Sequence, residues 1–261
     1  GESRGGATMN RILFEADELL ADGTVRLTDA RAEHLRRVLR VEPGQTVASG
    51  TVNGLAGVSR VLATGEAGVR LCPAHDAALP EPWLDLLLAV PRPKVLKRLW
   101  PQLAALGVGR VVLLNAAKVE KCYFSSQWLE PSSYRPLLIE GLMQAGLTRL
   151  PEVTAAPRFK PFVEDELDRL FPETVRLLAH PGPPAEVPPC DGAHGSRPVL
   201  AVGPEGGWTG YEIEHLRAHG FRPFSLGERI LRSDTACIAL IAVLEYARLS
   251  SGPQRSKLAG K

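Results

Sequence analysis

The chain has 261 residues, of which 44% are hydrophobic and 23% charged, and its formal net charge is +2 at pH 7. A chain of this length and composition can bury a sizeable core and is long enough for two domains of unequal size. No apolar run reaches the roughly 20 residues that a membrane-spanning helix needs, which excludes a membrane function based on such helices.

The four cysteines are far apart and include no Cys-x-x-Cys pair: Cys72, Cys122, Cys190 and Cys237. No histidine stands near them at the spacing of zinc ligands, so the sequence predicts neither a metal site nor a disulfide framework. A reducing, cytoplasmic location is therefore expected. The Gly/Ser-rich lead before Met9 resembles neither a signal peptide nor a transit peptide, and the predicted fold begins at Met9.

Short strands and turns alternate over residues 9–75. Runs such as "RILF", "VRLT" and "AGVSRVLA" are separated by turn sequences such as "ADG", "EPG" and "VNG". One helical stretch, "DARAEHLRRVLRV", interrupts them and carries basic side chains on its polar side: Arg36, Arg37 and Arg40. We predict a small β-barrel-like module with a basic helix, followed by a linker at 76–82 whose two prolines resist helix and central strand alike.

From residue 83 onwards, predicted strands alternate with predicted helices. The segment "WLDLLLAV" at 83–90 is almost entirely apolar, which is typical of a strand covered on both faces. Further strands are predicted at 110–115, 175–180 and 198–203, and helices at 94–106, within 132–145, near 162–170, at 210–219 and at about 235–249. This alternation predicts an α/β domain with a mostly parallel sheet over residues 83–252.

Basic side chains are concentrated near the start of this second domain. Between positions 92 and 121 one acidic residue, Glu120, stands among seven basic ones: Arg92, Lys94, Lys97, Arg98, Arg110, Lys118 and Lys121. Such a concentration attracts a polyanion even when the whole chain is nearly neutral. A solvated helix face explains the same pattern equally well.

Two glycine-containing turns follow predicted strands. They are "AVGPEGGWTG" at 201–210 and "SLGERILRSDTA" at 225–236. Glycine permits positive φ angles and removes side chains that would block a ligand, and open α/β sheets bind ligands where parallel strands end. Thr209 and Glu212 have the spacing of a capping box, which places a helix start directly after the first turn. The chain carries neither a phosphate-binding loop nor a dinucleotide-binding fingerprint.

The helix after the second turn is apolar on nearly every side, through Ala236, Cys237, Leu240, Ile241, Val243 and Leu244. A helix of this kind is expected to be buried, so the second turn is expected to lead into the centre of the domain. The two turns either connect elements or form one ligand pocket. Their position at strand ends, the second before a buried helix, favours the pocket.

Four stretches resemble the RsmE family, the 16S ribosomal RNA uracil-N3 methyltransferases of the SPOUT or trefoil-knot superfamily. They are "AVGPEGGWTGYEIEHL", "LGERILRSDTACIAL", "LLAHP" at 177–181 and "EGLMQAGLTRLPEV" at 140–153. The resemblance implies a small N-terminal PUA-like β-barrel domain and a C-terminal trefoil-knotted α/β domain with a parallel sheet. It also implies S-adenosylmethionine as cofactor, the small ribosomal subunit as partner, and a homodimer that pairs through the knotted domain.

The same resemblance implies roles for individual residues. The cofactor is expected to lie among three segments: His180, Pro181, Gly203, Pro204, Glu205, Gly206, Gly207, Leu226, Gly227, Ile230 and Leu231. Arg232, with Arg229 near it, is expected to stabilise negative charge on the uracil oxygens when N3 loses its proton. Glu205 is a candidate proton acceptor, although a glutamate in such a turn equally often caps neighbouring amides.

RNA contacts are expected from Arg36, Arg37, Arg40, Lys94 and Arg149, the last in a segment with Gln144 and Gly146 that borders RNA or the partner subunit. The chain departs from the commoner family pattern in several places, including "ASG" at 48–50 and "RSDTA" in the second turn. The departures that bear on RNA contacts are Val95, where the family has a lysine, and Ala105, where it has a glutamate. Two alternatives to transfer on 16S RNA therefore stay open. One is the same chemistry on another RNA, and the other is a non-catalytic RNA-binding protein.

Overall fold

The computed structural model describes residues 11–183 and 197–251, which fall into two compact units. Residues 11–81 and 138–150 form the first unit, and the other described residues form the second. Met9 and Cys190, which the sequence predictions mention, lie outside the described residues.

The first unit contains a five-stranded sheet, one complete α-helix and the C-terminal part of the helix at Pro131–Ala145. Its elements are β1 Ile12–Phe14, a 3-10 turn Ala16–Glu18, β2 Val25–Leu27, α1 Ala30–Arg37, β3 Thr46–Thr51, β4 Ala56–Gly65 and β5 Gly68–Ala77. The strand order is β1-β3-β4-β5-β2, in which β1 is parallel to β3 and the other neighbours are antiparallel. Leu35 of α1 joins a core with Phe14, Leu27 and Leu71, so the apolar side of the helix closes one face of the sheet.

The helix α1 ends earlier than the sequence predicted. It stops at Arg37, and Arg40 has a left-handed φ of 50°, so the predicted helical stretch was about one turn too long. Arg36 donates a hydrogen bond to the carbonyl of Gly65 at 2.9 Å, and Arg37 pairs with Glu33 at 3.0 Å. The three basic residues therefore do not share one helix face.

Two boundaries of the first unit also differ from the prediction. Ala77 still pairs with Ala56, so β5 extends two residues into the predicted linker. Residues 138–150 belong to the first unit, whereas the sequence placed them in the second domain. The reason is long-range hydrogen bonding, since the Asn53 side chain accepts a hydrogen bond from the Leu150 amide at 2.8 Å.

The second unit contains a six-stranded sheet. Its strands are β6 Leu84–Ala89, β7 Val108–Leu114, β8 Glu152–Ala156, β9 Arg176–Ala179, β10 Val199–Val202 and β11 Arg222–Phe224. The order is β11-β9-β10-β6-β7-β8, and every neighbouring pair is parallel. This confirms the predicted α/β fold with a parallel sheet. The strand β8 was not predicted, because its exposed residues form no apolar run.

Helices and turns connect these strands. They are α2 Pro93–Ala105, 3-10 turns Lys121–Tyr123 and Gln127–Leu129, α3 Pro131–Ala145, α4 Phe159–Pro161, a π-helical turn Phe162–Glu166, α5 Leu167–Leu170, α6 Gly210–Ala218 and α7 Ser233–Ser251. α2 buries Leu96, Leu99 and Leu103, as its amphipathic pattern predicted.

The buried strand β6 carries one acidic side chain, Asp85. Burial raises the pKa of this carboxyl, and its carboxylate pairs with Arg197 at 2.8 Å.

The last helix, α7, is buried on one face only. Cys237 and Ile241 are buried, and burial raises the pKa of the Cys237 thiol to about 12, which keeps it protonated at neutral pH. By contrast, Ile238 is 36% exposed, Leu249 64% and Tyr246 75%. The prediction of a helix buried on all sides was therefore wrong for this face. An apolar composition does not tell whether the covering surface belongs to the same chain.

Two features are absent from the described part of the chain. None of its helices combines the length and the apolar character that crossing a bilayer requires. Within residues 11–183 and 197–251, no group of three or more His, Cys, Asp or Glu side chains is placed to hold a metal ion.

Candidate functional site

Three neighbouring strands of the second unit end beside one another. β11, β9 and β10 are adjacent and parallel, so their carboxyl ends lie along the same edge of the sheet. The segments that follow them start at His180, Gly203 and Ser225. The order of the strands therefore brings together loops that are up to 45 residues apart in sequence. Open α/β sheets bind their ligands at such a place, outside the carboxyl ends of the strands.

The three loops and α7 enclose a cavity of about 320 Å³. This volume lies within the range of about 300–1,000 Å³ that is typical of small-molecule sites. All predicted cofactor residues except Gly206 line it: His180, Pro181, Gly203, Pro204, Glu205, Gly207, Leu226, Gly227, Ile230 and Leu231. The structure thus brings the predicted residues to one place.

The sequence missed the floor of this cavity. It consists of side chains that read as ordinary core residues: Val202, Trp208, Phe224, Ala236, Ala239 and Leu240. Trp208 is only 6% exposed, and Phe224 is also buried. Four of them lie inside or beside the two glycine turns, at positions 202, 208, 224 and 236, and this was the one signal that could have identified them. The cavity therefore combines an apolar floor with a backbone-rich rim, which suits a partly apolar ligand.

The glycines of the two turns are required by backbone geometry. Gly207 has a φ of 71° and Gly227 a φ of 118°, a region that side chains disfavour. A Cβ atom at Gly203 would lie 3.0 Å from Nε1 of Trp208, which is too close for any larger residue without a shift of the indole. These positions explain why the chain interrupts its buried strands with glycine.

Hydrogen bonds tie the three loops to one another. Ser225 Oγ donates to the carbonyl of Gly182 at 2.8 Å, and the Gly182 amide donates to the carbonyl of Gly227 at 3.3 Å. Ser233 Oγ, at the start of α7, donates to the carbonyl of Gly203 at 3.3 Å. The rim of the cavity is therefore held by contacts between segments, not by each turn alone.

Glu205 is attached to the start of α2. Its Oε1 accepts a hydrogen bond from the Arg92 amide at 3.1 Å and lies 3.9 Å from Nε of the same residue. Next to it, Lys118 Nζ donates to the carbonyl of Gly206 at 2.8 Å. The first turn is thus fastened to two other segments. Of the two roles considered for Glu205, the capping of a neighbouring amide is the one with a contact in the structure.

The two candidate catalytic arginines occupy different places. Arg229 lines the cavity, whereas Arg232 is exposed and does not contribute to its lining. The Arg232 carbonyl accepts the amide of Ala236 within the first turn of α7. Asp234, a conceivable partner of Arg232, pairs instead with Arg98 of α2 at 2.9 Å.

The predicted capping box is present and has an additional partner. Glu212 Oε2 accepts hydrogen bonds from the Thr209 amide at 2.8 Å and from the Thr209 hydroxyl at 2.9 Å. Its Oε1 accepts the amide of Ala117 at 2.7 Å, although Ala117 lies after β7 and far away in sequence. Glu212 is 2% exposed, so it is a buried acceptor that joins the start of α6 to the segment after β7.

The predicted RNA-binding residues belong to both units. Lys94 is exposed on α2, together with Lys97 and Arg98, and Arg92 is exposed at the N-cap of that helix. Arg110 does not belong to this exposed group, because it pairs with Glu152 of β8 at 2.6 Å.

In the first unit, Arg149 donates to the carbonyl of Asn53 at 2.6 Å and pairs with Glu81 at 3.0 Å. Gln144 lies on α3, and Gly146 follows that helix with a φ of 75°. The Gly146 carbonyl accepts a hydrogen bond from Arg11 at 3.0 Å. Part of this segment is therefore used in contacts within the first unit.

Comparison with known proteins agrees with the geometry of the second unit. Residues 79–245 match the RNA methyltransferase domain family. The ribosomal RNA small subunit methyltransferase E of Treponema pallidum is 31% identical over 249 residues, which cover 90% of this chain and 90% of that protein. The protein of the same name from Synechocystis sp. is 31% identical over 88% of this chain and 75% of its own length.

Solved structures show the same fold. One is the crystal structure of a ribosomal RNA small subunit methyltransferase E from Neisseria gonorrhoeae bound to S-adenosyl methionine. The match covers 90% of this chain and 97% of that chain, with a TM-score of 0.71 and 24% sequence identity. This likeness extends over both units. The chain therefore belongs to the RNA methyltransferase family, among the ribosomal RNA small subunit methyltransferase E proteins that its glycine turns resemble.

Proposed function

We propose that the chain transfers the methyl group of S-adenosylmethionine to N3 of a uridine in 16S ribosomal RNA. The observation that carries this proposal is the convergence of the loops after β9, β10 and β11 on one cavity, with the residues that the family resemblance names. The relatives' names place their substrate in the RNA of the small ribosomal subunit.

The residues of the cavity fit S-adenosylmethionine. The apolar floor around Phe224 and Leu240 suits a purine ring, and the exposed backbone of the two glycine turns offers amides and carbonyls to polar groups of the ligand. When bound, the cofactor supplies an activated methyl group on a positively charged sulfur. The chain's own part is to hold this group, to exclude water and to present it to the base in line with N3.

The uracil must lose its N3 proton before it becomes a good nucleophile. We propose that Arg232, exposed beside the cavity, stabilises the negative charge on the uracil oxygens. Arg229, which lines the cavity, is proposed to assist in this stabilisation. Glu205 remains a candidate proton acceptor. Its Oε1 also accepts the Arg92 amide, which fixes the position of this carboxylate beside the cavity.

The finer architecture is also proposed. We propose that the predicted division into a PUA-like RNA-binding domain at 9–75, a linker at 76–82 and a SPOUT domain with a trefoil knot at 83–252 holds with two changes. The first domain extends to Ala77 and also includes residues 138–150. The path of the last helix supports the knot. After the edge strand β11, the chain turns back, and α7 contacts α2 and the inner strand β10. For the first domain, the support is its small, mostly antiparallel sheet with one helix.

RNA contacts are proposed at the residues that the sequence singled out. Arg36, Arg37, Arg40 and Arg149 would bind phosphates in the first unit, and Lys94 would do so in the second. In such an interface, phosphate contacts position the RNA, and an extruded base supplies specificity. A cytoplasmic location is consistent with this substrate.

A homodimer is proposed on the exposed apolar face of α7. Because Tyr246 and Leu249 are mostly exposed in the single chain, a second copy would bury them. Tyr246→Glu is expected to convert a dimer into a monomer in sedimentation velocity, since it places a charge in an apolar interface. Tyr211→Glu, at an exposed tyrosine of α6, is the matched control and should leave the dimer intact. A monomeric wild-type protein would contradict the proposal.

Calorimetric titration with S-adenosylmethionine, followed by tritium-methyl transfer to small ribosomal subunits that lack the modification, tests the proposed activity. We expect saturable binding and one labelled uridine N3 per subunit. Gly203→Val is the matched control and should abolish binding, because its side chain would collide with Trp208. Binding without transfer to 16S RNA would favour another RNA, in line with Val95 and Ala105. The absence of binding would favour the non-catalytic alternative.

A further inference from the structure

Trp208 differs from two other tryptophans in how its indole N–H is used. Trp83 Nε1 donates to the carbonyl of Leu106 at 2.8 Å, and Trp100 Nε1 donates to the carbonyl of Trp128 at 3.0 Å. Trp208 Nε1 is buried and has no hydrogen-bond partner among the described residues. Buried indole N–H groups normally have an acceptor, and an unsatisfied buried donor costs about 1–3 kcal/mol.

This donor lies at the wall of the proposed cofactor cavity. Trp208 and Gly203 both line the cavity, and a Cβ at Gly203 would lie 3.0 Å from Nε1 and 3.1 Å from the neighbouring ring atoms. The indole therefore packs against a residue that has no side chain. Because Gly203 has no side chain, this edge of the indole faces glycine and meets no polar acceptor in the described part of the chain, and Nε1 itself is enclosed. A ligand in the adjoining cavity therefore reaches Nε1 when the indole shifts slightly toward it.

Packing alone does not explain a tryptophan here. Its aromatic neighbour Phe159 has a ring centroid 6.4 Å away, and this contact uses ring surface that a phenylalanine would also offer. A purely apolar side chain at position 208 would avoid the unsatisfied donor. The N–H is therefore the feature of Trp208 that calls for a partner outside the chain.

We propose that Trp208 Nε1–H donates a hydrogen bond to the purine-nucleoside part of the bound cofactor. This inference rests on the proposed function and assigns one binding contact within it. The nucleoside is favoured because Trp208 is buried beside the apolar floor, while the charged and exposed groups of the cavity, Glu205 and Arg229, are better suited to the amino-acid part. Trp208 is thus a binding residue whose indole N–H forms a hydrogen bond with the ligand.

The test compares ligand affinity with and without the donor. Trp208→Phe, and a second variant with β-(3-benzothienyl)alanine at position 208, both remove the N–H, and the second keeps the shape of the indole. Each is titrated with S-adenosylmethionine and with 5′-methylthioadenosine, which lacks the amino-acid part. We expect the Kd for both ligands to rise about tenfold, as the loss of one buried hydrogen bond predicts.

Trp100→Phe is the matched control, since it removes a buried indole N–H whose acceptor is a backbone carbonyl of the same unit. It is expected to lower thermal stability without changing either Kd. In ¹⁵N-labelled wild-type protein, the Trp208 indole resonance should move downfield and exchange more slowly when 5′-methylthioadenosine is added. This readout does not depend on catalysis.

The outcomes separate this contact from the proposed function. If wild-type protein binds both ligands and the benzothienyl variant binds them equally well, the contact is wrong and the proposed function stands. If only the Kd for S-adenosylmethionine rises, the donor faces the amino-acid part, and the assignment to the nucleoside is overturned. If wild-type protein binds neither ligand, both the proposed function and this contact are wrong.

Discussion

Arg232→Ala is expected to lower methyl transfer by about 10²–10³-fold while the Kd for S-adenosylmethionine stays within about threefold of wild type. The reason is position: Arg232 is exposed beside the cavity but is not part of its lining, so it can reach the RNA base without touching the cofactor. Single-turnover transfer to small ribosomal subunits measures the first quantity, and calorimetry measures the second.

Arg229→Ala provides an internal comparison. Because Arg229 lines the cavity, its loss is expected to weaken cofactor binding as well as transfer. Arg222→Ala, at an exposed arginine of β11 outside the site, is the control for a general loss of positive charge and should transfer at the wild-type rate. Wild-type turnover in Arg232→Ala would remove this residue from the proposed catalytic group. A rise in the cofactor Kd as large as the loss of transfer would make it a binding residue instead.

Glu212→Ala is expected to reduce the free energy of unfolding by about 2–4 kcal/mol, which is large for a single substitution. The carboxylate is buried and accepts hydrogen bonds from the amides of Ala117 and Thr209 and from the Thr209 hydroxyl. Its removal leaves buried donors without an acceptor and removes half of the capping box at the start of α6. Urea denaturation followed by circular dichroism measures the loss.

Two further variants test whether the buried carboxylate is responsible for this loss. Glu212→Gln keeps one oxygen and places an NH₂ group against donors, so its effect should be intermediate. Glu214→Ala removes an exposed glutamate from the same helix and should change stability by less than about 0.5 kcal/mol. Equal stability of the Glu212→Ala and Glu214→Ala variants would show that the buried contacts of Glu212 contribute nothing.

These two residues illustrate different connections between fold and function. Glu212 holds the segment after β7 against the first glycine turn, and Lys118 of that segment in turn bonds to Gly206. The turn is thereby preorganised before any ligand arrives, which lowers the cost of binding. Arg232 instead lies where the second turn enters α7, so its proposed role depends on the substrate that approaches from outside.

Local features of this fold were predictable because they depend on residues close together in sequence. The capping box of Thr209 and Glu212, the apolar strand β6 and the amphipathic helix α2 were all recognised from short patterns. From their position after strands, the two glycine turns were predicted to form a ligand pocket. Their cofactor residues followed from a family resemblance, and not from spacing alone.

Other features were decided by contacts between distant segments. The order β11-β9-β10 determines which loops meet, and nothing in the local sequence encodes which strands become neighbours. For the same reason Trp208 and Phe224 read as core residues until the cavity was seen to lie beside them. The contact of Glu212 with Ala117, the early end of α1 at Arg37 and the inclusion of 138–150 in the first unit are further examples.

The sequence by itself therefore determined the α/β class, the turns and the family, because these follow from periodicity, turn chemistry and motif. Only the tertiary structure decided which side chains share a cavity and which face of α7 stays exposed. The physical reason is that hydrogen bonding and burial between segments depend on how the whole chain packs, whereas propensity and capping act within a few residues.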